Sequence, residues 1–149
     1  MTDASALDIP TNRDCAFCDY LSGKRPFTVA ARTDQIAVLV TREQRGLPHL
    51  LVVPVAHRET ILDLSDEEIA VVAAGVRAAA QAINNAYERP GIAVWQNNGI
   101  PAHQTIPHVH FHVAGTLPEG GTDWGAVPEE PLECTDAIAR AIVPYLHLR

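Results

Sequence analysis

Residues Thr105–Gly115 read TIPHVHFHVAG, with His108, His110 and His112 at every second position and Val109, Phe111 and Val113 in between and after. Side chains of a β-strand alternate between faces with period 2, so this run reads as a strand. All three imidazoles then project from one face while the apolar residues pack on the other. A helix would scatter the same three histidines around its circumference. From the rise per residue of a strand, successive imidazoles stand roughly 6–7 Å apart at the backbone, close enough to act on one small ligand.

Outward from this run, the chain reads as an antiparallel meander. FTVAAR (27–32), QIAVLV (35–40) and HLLVVP (49–54) have strand composition, and Pro54 stops the third because it cannot donate to a ladder. Ser65 and Glu68 form an S-x-x-E capping box. The stripe Ile69, Val72, Ala73, Val76, Ala80, Ile83, Tyr87 then predicts one long helix, ended by Pro90-Gly91. IAVWQ (92–96) is a fourth strand and the histidine run a fifth. Residues 117–134, rich in Gly, Pro and Glu, read as an irregular excursion, and Thr135 caps a last helix over 136–146. The expected class is α+β: a five-stranded antiparallel meander with one long and one or two short helices. The expected organisation is a loose arm over 1–14 and a single domain over 15–149, of which 116–149 is a C-terminal extension.

The chain has 149 residues and a formal charge of −7. One domain with a sizeable core is expected. The acidic balance argues against a nucleic-acid surface or an anionic membrane patch as partner. No apolar run has the length of a membrane span, and the polar start lacks the order of a signal peptide, so the expected location is cytoplasmic. Three cysteines, two of them in the pair Cys15-x-x-Cys18, do not make a disulfide framework. That pair alone leaves a redox pair, half a zinc site and two buried thiols open, and Cys134 is expected to be structural.

Two chemistries suit three in-register histidines. They could ligate a transition metal, but no carboxylate lies in or just before the strand to complete a catalytic metal site. Alternatively, a neutral imidazole nitrogen is a good nucleophile toward phosphorus. The loop before it, NNGIPAHQT (97–105), offers amides, a hydroxyl and backbone N–H groups, the donor-rich surroundings phosphoryl transfer requires.

HVHFHVA matches in full the histidine-triad signature, His-φ-His-φ-His-φ-φ with φ apolar. CAFC, PHLLVVPVAH, the capped helix and NNGIPAHQTIPHVHFHV follow in that family's order. The chain therefore resembles the histidine-triad family, in its Hint-like branch, over roughly residues 15–115. The resemblance implies a nucleotide hydrolase or transferase acting on AMP-like phosphoramidates or related anhydrides through a nucleotidyl-histidine. It implies that His110 is the nucleophile and that His112 contacts the phosphate and the bridging atom. It also implies that His49, Asn97, Gln104 and Thr105 lie at nucleotide- or phosphate-contacting positions. Structural Zn2+ on Cys15, Cys18, His57 and His108, no organic cofactor, and a homodimer with a continuous ten-stranded sheet are implied as well. Within the family the rival is a dinucleoside polyphosphate hydrolase; outside it, a non-catalytic nucleotide sensor.

The chain also departs from the resemblance. Thr41 stands where an acid commonly holds the ribose hydroxyls, unless Glu43 takes that role. Pro48 replaces a glycine, His103 replaces a small residue, and the stretch after Gly115, with Trp124 and the final helix, has no close match.

Overall fold

The computed structural model describes residues 6–11 and 14–149. The five strands are β1 (Val29–Arg32), β2 (Ile36–Val40), β3 (His49–Pro54), β4 (Ile92–Gln96) and β5 (Phe111–Gly115). The helices are α1 (Ala16–Ser22), α2 (Asp66–Tyr87) and α3 (Leu132–Ile142). The sheet is antiparallel in the order β1-β2-β3-β5-β4, so β5 is inserted between β3 and β4. The α+β class and the five antiparallel strands are as expected, but the order departs from a simple meander, because the last strand pairs with β3 and pushes β4 to the edge.

The two central hydrophobic strands are buried along their whole length, because both faces of the sheet are covered. On one face, Val38, Val40, Leu50, Val52 and Val113 pack under α2 and α3. On the other, Ala37, Leu39, Leu51 and Val53 pack under Phe17 of α1. His49 and His112 belong to this second face, since their strand neighbours alternate with the first.

Helix α2 starts with the expected box: the Ser65 side chain accepts from the Glu68 N–H at 3.1 Å and Glu68 reaches back to the Ser65 N–H at 3.1 Å. It ends at Tyr87 with Glu88 in the left-handed region, before the Pro-Gly pair. Its buried face is rotated from the expected stripe. Val72, Gly75, Ala79, Ala82 and Ile83 are buried, while Ala73 is exposed. The seat of the helix is Gly75, where an added Cβ would come within 2.5 Å of Ile36 Cδ1 and 3.2 Å of Val52 Cγ1. A hydrophobicity pattern overlooks a glycine, yet here the missing side chain is what admits the sheet.

Two boundaries differ from the sequence reading. Helix α3 begins at Leu132, with Pro131 as N-cap, and a short 3-10 turn over Val143–Tyr145 follows it. Thr135 is not its cap: it is buried inside the helix, where its hydroxyl meets Thr28 Oγ1 at 2.7 Å and Leu132 O at 3.1 Å. The fifth strand begins only at Phe111, so His108 and His110 precede it. There the backbone leaves the ladder: the Val109 N–H donates to Arg58 O at 2.8 Å. Part of the expected loose arm, residues 1–5 and 12–13, lies outside the described residues. Within 6–11 the arm is engaged, with Pro10 buried and the Asp8 carbonyl accepting the Ile100 N–H at 2.6 Å. Among the described residues no helix is long and apolar enough to cross a membrane.

Candidate active site

His49 from β3, His112 from β5 and His110 just before β5 line one cleft of about 430 Å³. Its other walls divide by chemistry. Phe17, Tyr20, Phe27, Leu51 and Ile106 give an apolar side, with Tyr20 stacked on Phe27 at 3.9 Å between ring centroids. Thr41, Arg42, Glu43 and Arg45, from the turn between β2 and β3, give a polar rim.

His110 and His112 lie side by side at the cleft, with ring centroids 5.1 Å apart, while the His108 ring has other partners. His110 Nδ1 lies 2.7 Å from the His108 carbonyl. A carbonyl only accepts, so Nδ1 carries the proton and Nε2 keeps its lone pair. Burial lowers the pKa of His110, against the opposing effect of that carbonyl, so the ring is neutral at pH 7. A neutral ring with a basic Nε2 beside a cleft is a competent nucleophile.

His112 Nδ1 meets His49 Nε2 at 2.9 Å. His49 Nδ1 in turn lies between the Arg45 N–H at 3.2 Å and the Glu43 carbonyl at 3.1 Å. Burial takes His49 down to about 4, with the charges of Arg45 and His110 acting in the same direction. Burial takes His112 down to about 2, assisted by His110, His49 and Arg45. Trp95 from β4 stacks flat on His112, with centroids 4.6 Å apart and planes 5° from parallel. The pair is thus held on its edge and on its face.

His108 turns away from the cleft. Its Nε2 donates to Pro54 O at 2.8 Å, which leaves Nδ1 as the basic nitrogen. That nitrogen lies 3.2 Å from Cys15 Sγ and 3.7 Å from Cys18 Sγ, and His57 Nδ1 lies 3.5 Å from Cys18 Sγ. The four ligand atoms all lie within 4.8 Å of one another. A tetrahedral zinc, with its usual bond lengths to sulfur and nitrogen, separates such ligands by roughly 3.5 Å. The fixed tautomer of His108 is also what a metal-ligating histidine needs. Burial pushes the Cys18 thiol up to about 11, and Cys15 adds to the effect, so a cation beside it would be needed to favour the Cys18 thiolate. The residues fit a closed Cys2His2 zinc site.

The loop before β5 is placed less simply. Thr105 lines the cleft. Asn97 donates across the loop to Ala102 O at 2.8 Å. Gln104 is buried, and both its amide donors are engaged, with Glu59 O at 2.7 Å and Ile106 O at 2.9 Å; its carbonyl accepts the Gly99 N–H at 2.7 Å. Its position is that of a strut for the loop. His103 is exposed in a left-handed turn at φ 69°, as a solvent-facing loop side chain. The Thr41 hydroxyl accepts the Glu43 N–H at 3.2 Å, and the Glu43 carboxylate pairs with Arg45 at 3.5 Å.

Sequence reasoning missed Gln44, Trp95 and the three arginines of the cleft, Arg25, Arg42 and Arg45. No periodic signal marks them. Only the concentration of arginine in RTDQIAVLVTREQR hints that the acidic chain keeps cations near this turn.

The HIT domain profile matches residues 22–118. The chain belongs to the HIT domain family. It is 32% identical over 122 residues to the adenosine 5'-monophosphoramidase hnt1 of Schizosaccharomyces pombe, covering 80% of this chain and 89% of that one. It is 27% identical over 135 residues to an uncharacterized HIT-like protein of Saccharolobus solfataricus, covering 89% and 97%. Among solved structures, a Hit-like protein from Bartonella henselae superposes with a TM-score of 0.83 at 23% identity, over 92% of this chain and 99% of that one. A Zn-bound histidine triad family protein from Mycobacterium smegmatis gives 0.77 at 23% identity, over 89% and 93%.

Proposed function

We propose that this chain is a nucleotide hydrolase or transferase that cleaves AMP-like phosphoramidates or related phosphoanhydrides through a nucleotidyl group on His110. The observation that carries it is the 2.7 Å contact of His110 Nδ1 with the His108 carbonyl, which leaves a basic Nε2 in a neutral, buried ring at the cleft. The phosphoramidase activity named for the Schizosaccharomyces pombe relative supports the same substrate class.

In the first step His110 Nε2 attacks phosphorus, the P–N or P–O bond breaks, and an amine leaving group takes up a proton. In the second step water attacks the same phosphorus, the P–Nε2 bond breaks, and the monophosphate leaves with release of one proton. His112 stands beside His110, with ring centroids 5.1 Å apart, and contacts a phosphate oxygen or the bridging atom. The base lies along Phe17, Tyr20 and Phe27. Thr105 adds a hydroxyl at the phosphate end.

Cys15, Cys18, His57 and His108 hold zinc in this reading, and the metal, when bound, supplies structural cross-linking rather than Lewis-acid chemistry. The assembly is a homodimer: β4 is an edge strand with Val94 half exposed, and an open edge of this kind calls for a partner. Light scattering that finds a monomer at micromolar concentration refutes the dimer.

The deciding experiment is a substrate panel of adenosine 5'-phosphoramidate against diadenosine polyphosphates, with AMP release as the readout. Faster turnover of the phosphoramidate is expected. Faster turnover of the dinucleotides reassigns the chain to polyphosphate cleavage, and AMP binding with no turnover of either reassigns it to a sensor.

A further inference from the structure

Arg45 ties the C-terminal excursion to the turn between β2 and β3. Its Nη1 donates to the carbonyls of Asp123 at 3.0 Å and Gly125 at 2.6 Å, and its own carbonyl accepts the Asp123 N–H at 2.8 Å. Between those two anchored residues stands Trp124, 71% exposed. Trp124 nevertheless reaches Trp95, with ring centroids 5.2 Å apart, and Trp95 is the ring stacked on His112. The main-chain N–H of the same Arg45 donates to His49, the hydrogen-bond partner of His112. Two routes therefore run from Arg45 to His112, one on the edge of the imidazole through His49 and one on its face through Trp124 and Trp95.

We propose that Arg45 is a positioning residue for His112, acting by clamping the 117–131 excursion so that Trp124 and Trp95 close the face of the ring while His49 fixes its edge. This rests on the assignment of His112 to the phosphate. An exposed segment with few apolar contacts ordinarily opens on its own. Both carbonyls are held by the two hydrogens of one nitrogen, Nη1, whose directions the planar guanidinium fixes, whereas the donors of an ammonium rotate on a flexible stem. The function served is orientation: a misplacement of about 1 Å in a reacting constellation costs roughly a hundredfold in rate.

The test uses the full chain and the variants R45M, R45K, W124A and R45M/W124A. Each is assayed for kcat and KM with adenosine 5'-phosphoramidate and for quenching of tryptophan fluorescence by acrylamide. R45M is expected to lose about tenfold or more in kcat with KM within about twofold, and to become more quenchable. R45K is expected to follow R45M. The double variant is expected to be no worse than R45M, because both changes release the same contact. Restoration of wild-type kcat by R45K, a rise in KM at unchanged kcat, or additive losses in the double variant would each overturn the proposal. If R45M does not fold, W124A decides, since its side chain is mostly exposed: a lower kcat at an unchanged melting temperature supports the clamp, and an unchanged kcat overturns it. If the wild type turns over no phosphoramidate, the functional reading fails, and the clamp is judged by quenching alone. More quenching in R45M then supports it, and equal quenching overturns it.

Discussion

His108 and His110 are joined by a main-chain contact: the Nδ1–H of His110 donates to the carbonyl of His108 at 2.7 Å. The His108 ring, meanwhile, points into the Cys15–Cys18–His57 cluster. One residue thus presents its side chain to the cysteine–histidine cluster and its backbone to the ring proposed as the nucleophile.

Removing the nucleophile should stop turnover without unfolding the chain. His110→Ala keeps Val109 and Val113 in the core and deletes a group at the cleft floor. Loss of a covalent nucleophile raises the barrier by several kcal/mol, so kcat should fall by at least about a hundredfold. A steady-state assay that retains more than about a tenth of wild-type kcat contradicts the assignment.

Cys15→Ser should lower the zinc content and the melting temperature together, the latter by about 5 °C or more. Elemental analysis must first find one zinc per wild-type chain. A metal-free wild type of equal stability retires the idea.

Acid should destabilise the fold in a defined window. His49 and His112 have folded pKa values depressed to about 4 and about 2, below the ordinary 6.5. Between those values the unfolded chain binds protons that the folded chain refuses, so stability is complete above about pH 6.5 and declines as pH falls. In the middle of the window each histidine contributes a slope of up to about 1.4 kcal/mol per pH unit. Urea melts at pH 7.0 and 5.0 measure this. Equal midpoints would show that the rings are not buried in neutral form.

Ribose discrimination should be weak. Thr41 offers a neutral hydroxyl at the cleft, and the nearby Glu43 carboxylate is already paired with Arg45 at 3.5 Å. The gap between AMP and 2'-deoxy-AMP should stay within about 1 kcal/mol, and Thr41→Asp should widen it. A calorimetric preference of a hundredfold for AMP would mean that a carboxylate does reach the sugar.

The sheet and α2 were legible because their signals are local: alternation in HVHFHV, continuous apolar runs in β2 and β3, and the Ser65–Glu68 box. Period 2 holds within the strand itself, where His112 and Val113 face opposite sides, but not for His108 and His110, which precede it. What escaped was set by tertiary contact. Gly75 seats α2 through an absent side chain. Thr135 looks like a cap but is drawn into the helix by Thr28. The chain leaves the ladder around Val109, whose N–H goes to the Arg58 carbonyl, while the His108 ring goes to the Pro54 carbonyl. Gln104, a donor by composition, has both donors taken by the loop it supports. Arg45 and Trp95 act through partners 78 and 17 residues away, at Asp123 and His112, and no spacing rule reaches that far.

The strand order β1-β2-β3-β5-β4 has a consequence for synthesis. The strand that completes the centre of the sheet is the last one to leave the ribosome. Until residues 111–115 emerge, β3 and β4 each present an unpaired edge to other nascent chains, and the histidine face has no floor. A chain truncated before Phe111 therefore keeps two sticky edges and, lacking β5, neither a closed core nor a triad, which makes it a substrate for aggregation and quality control rather than a partly active enzyme.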